Sequence, residues 1–267
     1  MIKLEDISKK YGGKELYSHF SAEFEQHKVS CILGASGVGK TTLINMIAGL
    51  AAPERGRVIV TSEGKDGGTR GSYVFQEPRL LPWLNVHDNL DLVLKNAKNP
   101  TAVQSENAEP MSVKHKAHKN IFAGGGRGWS HSGFFTKEER NEMIKKQLEL
   151  VELSDYEFSP LNELSGGMVQ RVALCRAFLY PSDILFLDEP FKEQDSKLKD
   201  ELYETFFRAY ENDALRRTVL FVTHDISEAL RLADTIYVLF GAPVEITGKF
   251  DKAEFSEDTK DRIKELL

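Results

Sequence analysis

Apolar residues recur along this chain with two periods, and the predicted element changes where the period does. Ile2, Leu4 and Ile7, then Phe20, Ala22 and Phe24, alternate with polar residues as half-buried antiparallel strands do. Val29-Ser30-Cys31-Ile32-Leu33 is nearly continuous instead, which suits a strand buried on both faces of a sheet, and it runs straight into Gly34. Beyond Lys40, residues Leu43, Ile44, Ile47 and Leu50 fall at helical spacing, with Pro53 and Gly56 past the helix end. Short strands are expected over 58–60 and 73–75. A helix is expected after Asn85, whose side chain can cap it, with Asp88 in its first turn and Leu90, Val93 and Leu94 on its apolar face.

The pattern lapses over 97–136, where glycines cluster at 124, 125, 126, 128 and 133 and five Lys or Arg stand against two Glu. This segment reads as an insertion and a solvated flexible loop, lacking the periodic apolar residues that would offset its ordering entropy. Two sharper readings are a docking element and a metal site from His115, His118 and His131, but histidines without Cys or carboxylate beside them are poor evidence for metal. Periodicity resumes at Thr136, with Met143, Ile144, Leu148 and Val151 on one helix face. A further helix is expected from Ser165 through Val172, Leu174 and Ala177 to a break at Pro181. Strand 184–187, helix 196–210, strand 218–222, helix 225–232 and strand 235–240 then alternate, the order of a parallel sheet with helices on its faces. Residues 249–267, with Phe250, Phe255 and Ile263, are too few for another domain and predict a short closing helix.

Length and charge narrow the function. A chain of 267 residues makes one large domain or two small ones. With 35 Lys and Arg against 41 Asp and Glu, the net charge of −6 argues against nucleic acid as a partner. Cys31 and Cys175 both sit in apolar runs and read as buried packing in a reducing compartment. No stretch approaches the roughly 18 apolar residues of a membrane span, and residues 1–11 lack the apolar centre of a secretory signal, so a cytoplasmic location is expected.

Three motifs carry chemistry. Gly34-Ala35-Ser36-Gly37-Val38-Gly39-Lys40-Thr41 fits a phosphate-binding loop, with a buried strand before it and a helix after it. Its backbone N–H groups and helix N-terminus would face phosphate oxygens, Lys40 would neutralise the outer phosphates, and Thr41 would offer a hydroxyl to Mg²⁺, with Thr42 beside it. The strand at 184–187 ends in Asp188 and Glu189. Asp188 suits a metal held through water, and Glu189, pointing elsewhere, suits orienting or deprotonating a water. Leu164-Ser165-Gly166-Gly167-Met168, followed by Gln170-Arg171, is a second glycine-rich helix start, an anion site that one nucleotide does not obviously need.

In this order the motifs resemble those of ATP-binding cassette (ABC) proteins. The resemblance implies that Tyr11, before Gly12-Gly13, stacks on adenine, that Gln76 touches metal and water, and that His224 in Val222-Thr223-His224-Asp225 is the switch histidine. It implies ATP and Mg²⁺ as ligands. It also implies a head-to-tail dimer in which Ser165, Gly166 and Gly167 of one subunit close over the phosphate loop of the other, which accounts for the surplus anion site. Asp195 holds the place of a further dimer-interface aspartate, although Phe191-Lys192-Glu193-Gln194 departs from the usual small-residue Ser-Ala-Leu before it, and Met168 replaces a commoner Gln.

The expected fold is α/β: a P-loop NTPase (RecA-like) core with a mostly parallel sheet, an N-terminal antiparallel β subdomain and an α-helical subdomain carrying the signature. One domain over 1–248 is expected, with its core at about 1–78 and 181–248 and its helical part at about 79–180, followed by a C-terminal extension over 249–267. Glu77-Pro78-Arg79-Leu80-Leu81-Pro82-Trp83-Leu84 resembles a segment of nitrate, sulfonate and taurine importer ATPases. That likeness implies an ATPase peripheral to the cytoplasmic membrane face, meeting a separate permease through residues Gln76 to Leu84 and depending indirectly on an extracytoplasmic solute-binding protein. Packing within the helical subdomain is the other reading of this segment. An amino-acid-type or exporter cassette, a soluble non-transport cassette ATPase and a binding-only subunit are the alternative functions.

Overall fold

The computed structural model describes residues 1–61, 71–97, 134–192 and 195–267. The insertion read over 97–136, with its three histidines, lies almost wholly outside them. Two compact units emerge: Met1–Glu77 with Ser182–Glu193 and Arg217–Leu267, and Pro78–Pro181 with Gln194–Arg216.

The first unit holds two sheets. Strands β1 (Ile2–Tyr11), β2 (Lys14–Phe24) and β4 (Arg55–Val60) form an antiparallel sheet in the order β2-β1-β4, with Ile2 opposite both Phe24 and Val60. Alternation puts Ile2, Leu4, Phe20 and Phe24 inward, a register shift after Leu4 brings Ile7 to the same face, and these pack in one core with Ile32, Leu43 and Ile44. The second sheet runs β5-β6-β7-β3-β8-β9. Its strands are β3 (Val29–Gly34), β5 (Gly71–Val74), β6 (Ile184–Asp188), β7 (Thr218–Thr223), β8 (Thr235–Phe240) and β9 (Glu245–Asp251). All pairings are parallel except β8 with β9. Every residue of β3, β6 and β7 is buried, as their unbroken apolar runs require. Helices α1 (Lys40–Ile47), α6 (Ile226–Leu232) and α7 (Thr259–Lys264) complete this unit.

The second unit is helical: α2 (Val86–Lys95), α3 (Lys137–Leu150), α4 (Gly166–Leu179) and α5 (Ser196–Glu211). The Asn85 side chain caps α2 by accepting the Asp88 N–H, and Thr136 with Glu139 forms a reciprocal capping box on α3. Leu90, Leu94, Ile144, Leu148, Val172 and Cys175 make its core.

Two boundaries differ from the sequence reading. Helix α5 was expected with the sheet core, but Phe206 on it is fully buried and its ring lies 6.1 Å from Phe178 of α4, so Gln194–Arg216 packs with the helical unit. A boundary at 248 falls inside β9, whose Phe250 is opposite Ile236; residues beyond it continue the first unit, with Ile263 of α7 buried there. The closing helix forms, but only after a strand that the mixed pattern Glu245-Ile246-Thr247-Gly248-Lys249 concealed. Among the described residues no helix is long and apolar enough to cross a membrane.

Candidate nucleotide site

Parallel register collects the chemistry at one edge of the large sheet. Leu33 of β3 pairs with Thr223 of β7, Val222 pairs with both Ile32 and Asp188, and Leu187 pairs with Val74. The loop after Gly34, the Asp188-Glu189 pair, His224 and Gln76 therefore all leave the carboxyl ends of neighbouring strands, where open α/β sheets bind ligands.

The loop enters α1 through Gly39, whose φ of +118° is left-handed backbone that side chains rarely adopt. Lys40 is 4% exposed, and its ammonium donates to the carbonyls of Gly34 at 2.8 Å and Ala35 at 3.0 Å, with Glu189 Oε1 at 3.7 Å. Burial lowers the Lys40 pKa, and the charge of Glu189 opposes that shift. The Thr41 hydroxyl donates to Asp188 Oδ1 at 3.0 Å. The Tyr73 hydroxyl shares its proton between Asp188 Oδ2 at 3.3 Å and Asn45 Oδ1 at 3.1 Å. Burial raises the Asp188 pKa against these hydrogen bonds. The Thr41 and Asp188 oxygens are hard donors of the kind Mg²⁺ takes together with water and phosphate oxygens.

Glu189 has a left-handed backbone, φ +44°, and its N–H extends the β6–β7 ladder to the Val222 carbonyl at 3.0 Å. Its carboxylate meets Lys192 Nζ at 3.0 Å and His224 Nδ1 at 3.5 Å in addition to Lys40. Burial alone would raise its pKa, but the ion pair with Lys192 and the charge of Lys40 prevail and hold it below the ordinary carboxylate value. His224 is exposed, and the turn carrying it is anchored from within: the Thr223 hydroxyl accepts from the Asp225 N–H at 3.0 Å and donates to the buried Glu228 at 2.8 Å. Tyr11 stands 76% exposed beside the Gly12-Gly13 turn, and Gln76 is exposed two residues past β5.

The structure thus gathers Lys40, Thr41, Asp188, Glu189 and His224 in direct contact within one unit. Ser165, Gly166, Gly167 and Asp195 lie in the other, where Ser165 caps α4 by accepting the Met168 N–H and Asp195 caps α5 by accepting that of Leu198. In the same unit Trp83 is 75% exposed on a braced segment. Asn89, itself buried, bonds the Leu81 N–H and reaches the carbonyls of Leu81, Leu84 and Asn85, while Arg176 donates to the carbonyls of Pro78 and Arg79.

Four residues at the site escaped sequence reasoning: Tyr73, Asn45, Lys192 and Tyr17, whose buried hydroxyl donates to the Gly39 carbonyl at 3.1 Å. Asn45 lies on a helix, Tyr73 and Tyr17 on strands and Lys192 in a turn, and no local spacing names their partners.

The protein-family model described as ABC transporter matches residues 17–192. The nitrate import ATP-binding protein NrtD of Synechococcus elongatus is 32% identical over 226 residues, 84% of this chain and 69% of that protein. The aliphatic sulfonates import ATP-binding protein SsuB of Bacillus thuringiensis is 32% identical over 242 residues, 90% of this chain and 80% of that one. Among solved structures, the dimeric post-hydrolysis state of the ATP-binding cassette MJ0796 bound to ADP and Pi aligns with a TM-score of 0.66 at 24% identity, covering 96% of this chain and all of that one.

Proposed function

This chain belongs to the ABC transporter family, and on that premise we propose that it is the ATP-hydrolysing subunit of an importer, driving a separate membrane permease from the cytoplasmic face. ATP phosphates are received by the N–H groups of residues 35–41 and by Thr42, with Lys40 as their counter-charge and Tyr11 against the adenine. Thr41 and Asp188, with Gln76, hold Mg²⁺, which when bound neutralises phosphate charge. Glu189 takes a proton from water as the water oxygen bonds the γ-phosphorus; the bond from that phosphorus to the bridging oxygen breaks, and ADP leaves with that oxygen. His224 holds the γ-phosphate and the water in line. Ser165, Gly166, Gly167 and Asp195 of a second copy close the site.

The observation that carries this reading is the convergence of Lys40, Thr41, Asp188 and Glu189 at one sheet edge. Replacing Glu189 by Gln keeps ATP binding and abolishes phosphate release; undiminished hydrolysis in that variant removes Glu189 as the base. The exposed Trp83, on a segment whose Leu81 and Leu84 backbone groups Asn89 bonds, supports residues 76–84 as the permease contact, since aromatic anchors dominate such interfaces. The relatives named for nitrate and for sulfonates favour a small anion as cargo, delivered by a solute-binding protein outside the membrane. Transport assays with nitrate and an alkanesulfonate in the assembled complex decide between them.

A further inference from the structure

Lys192, in the segment that departs from the small residues usual before Asp195, has no part in the mechanism above. Glu189, Pro190, Phe191 and Lys192 make a tight turn closed by a hydrogen bond from the Lys192 N–H to the Glu189 carbonyl at 3.2 Å. Pro190 and Phe191 are buried, which pins the turn to the core. The turn brings the Lys192 side chain back over Glu189, and the two carboxylate oxygens consequently face different charged groups. Oε1 lies 3.7 Å from Lys40, whereas Oε2 faces Lys192 at 3.0 Å and His224 at 3.5 Å. Fully exposed pairs of this kind contribute little, but the Glu189 side chain is only 11% exposed.

Nucleotide affects these contacts unequally. Lys40 belongs to the phosphate loop, so bound phosphates compete for its ammonium and release Oε1. Lys192 lies outside that loop. We propose that Lys192 is a positioning residue for Glu189, holding Oε2 so that Oε1 is the oxygen presented to the attacking water, while its charge offsets the carboxylate beside the phosphates. The proposal rests on Glu189 as the base. The water's proton goes to Oε1, and Lys192 keeps its own protons throughout.

Steady-state phosphate release and equilibrium binding of a fluorescent ATP analogue without Mg²⁺, on Lys192→Ala, Lys192→Arg, Glu189→Gln and the Glu189→Gln/Lys192→Ala double variant, test it. Lys192→Ala lowers kcat about tenfold, as loss of orientation at a reacting group does, and Lys192→Arg recovers most of it. Lys192→Ala also weakens analogue binding about threefold when Glu189 is present and leaves it unchanged in the Glu189→Gln background, because the charge to be offset is gone. Wild-type turnover in Lys192→Ala, or equal loss of binding in both backgrounds, overturns the proposal; the latter outcome means a direct nucleotide contact or a folding defect. Full turnover by Glu189→Gln removes the base assignment instead, while the binding cycle still measures the coupling of Lys192 to Glu189.

Discussion

Tyr17 illustrates how single side chains set this site. Its ring belongs to the core of the antiparallel sheet, and its hydroxyl reaches the Gly39 carbonyl, fixing the last residue of the phosphate loop before α1. That carbonyl also accepts the Leu43 N–H at 3.0 Å, so Tyr17→Phe leaves it one partner. The expected cost is about 1 kcal/mol, the net value of one hydrogen bond, read as a lower urea midpoint with an unchanged m-value. ATP binding weakens alongside, because the loop loses its tie to β2. From the sequence, the alternation of Phe20, Ala22 and Phe24 puts Tyr17 on the opposite face; the register shift between Phe20 and Tyr17 turns it inward, and nothing local shows that its hydroxyl reaches a loop 22 residues on. Lys40 and Asp188 were legible because their chemistry needs a local spacing; Tyr73 and Asn45, which meet Asp188 across separate elements, carry no such signature.

Among the elements, α2 and α3 flank the insertion and are joined by charge as well as by apolar packing. Asp91 of α2, nearly buried, is bonded by Arg140 of α3 and by Lys95 at 2.9 Å. Burial would raise the Asp91 pKa, yet these two partners keep it below the ordinary value. Asp91→Ala leaves Arg140, among the described residues, with the Phe135 carbonyl and costs about 2 kcal/mol of stability, as loss of a partly buried charged hydrogen bond does. The pH dependence has a definite sign. A carboxyl whose folded pKa is depressed contributes stability that is present above its unfolded value, about 3.9, and is lost as pH falls through the folded value. The difference between wild type and Asp91→Ala in chemical denaturation therefore shrinks below about pH 4. Element positions were largely readable because caps and periods are local: Asn85, Thr136 and Ser165 stand where the helix starts were expected. The allegiance of α5 was not, since its apolar face would suit a sheet or a helix bundle equally well.

At the scale of the whole molecule, adjacent glycines of the signature separate internal from external demands. A Cβ on Gly167 would lie 2.4 Å from Leu198 Cδ1, so a side chain there displaces Leu198 within this chain. A Cβ on Gly166 would meet no described residue within 4 Å, and its backbone is ordinary helix. No described residue of the chain calls for glycine there, which leaves room for the second copy proposed to close the site. Gly166→Asp should fold normally, an acid being favourable in the first turn of a helix, yet fail to dimerise with ATP and lose hydrolysis. Light scattering with and without ATP in a Glu189→Gln background checks this, and an undisturbed ATP-dependent dimer would count against closure through the signature. Taken alone, the sequence determined the phosphate loop, the Asp188-Glu189 strand end, the alternation of strands and helices and the family they belong to, because each is written in spacings of a few residues. Only the tertiary structure decided that Lys192 faces Glu189, that Tyr17 braces Gly39, that α5 joins the helical unit and that no described residue crowds Gly166. Such contacts depend on how a turn folds back, or on which distant segments share a core, and no local period encodes either.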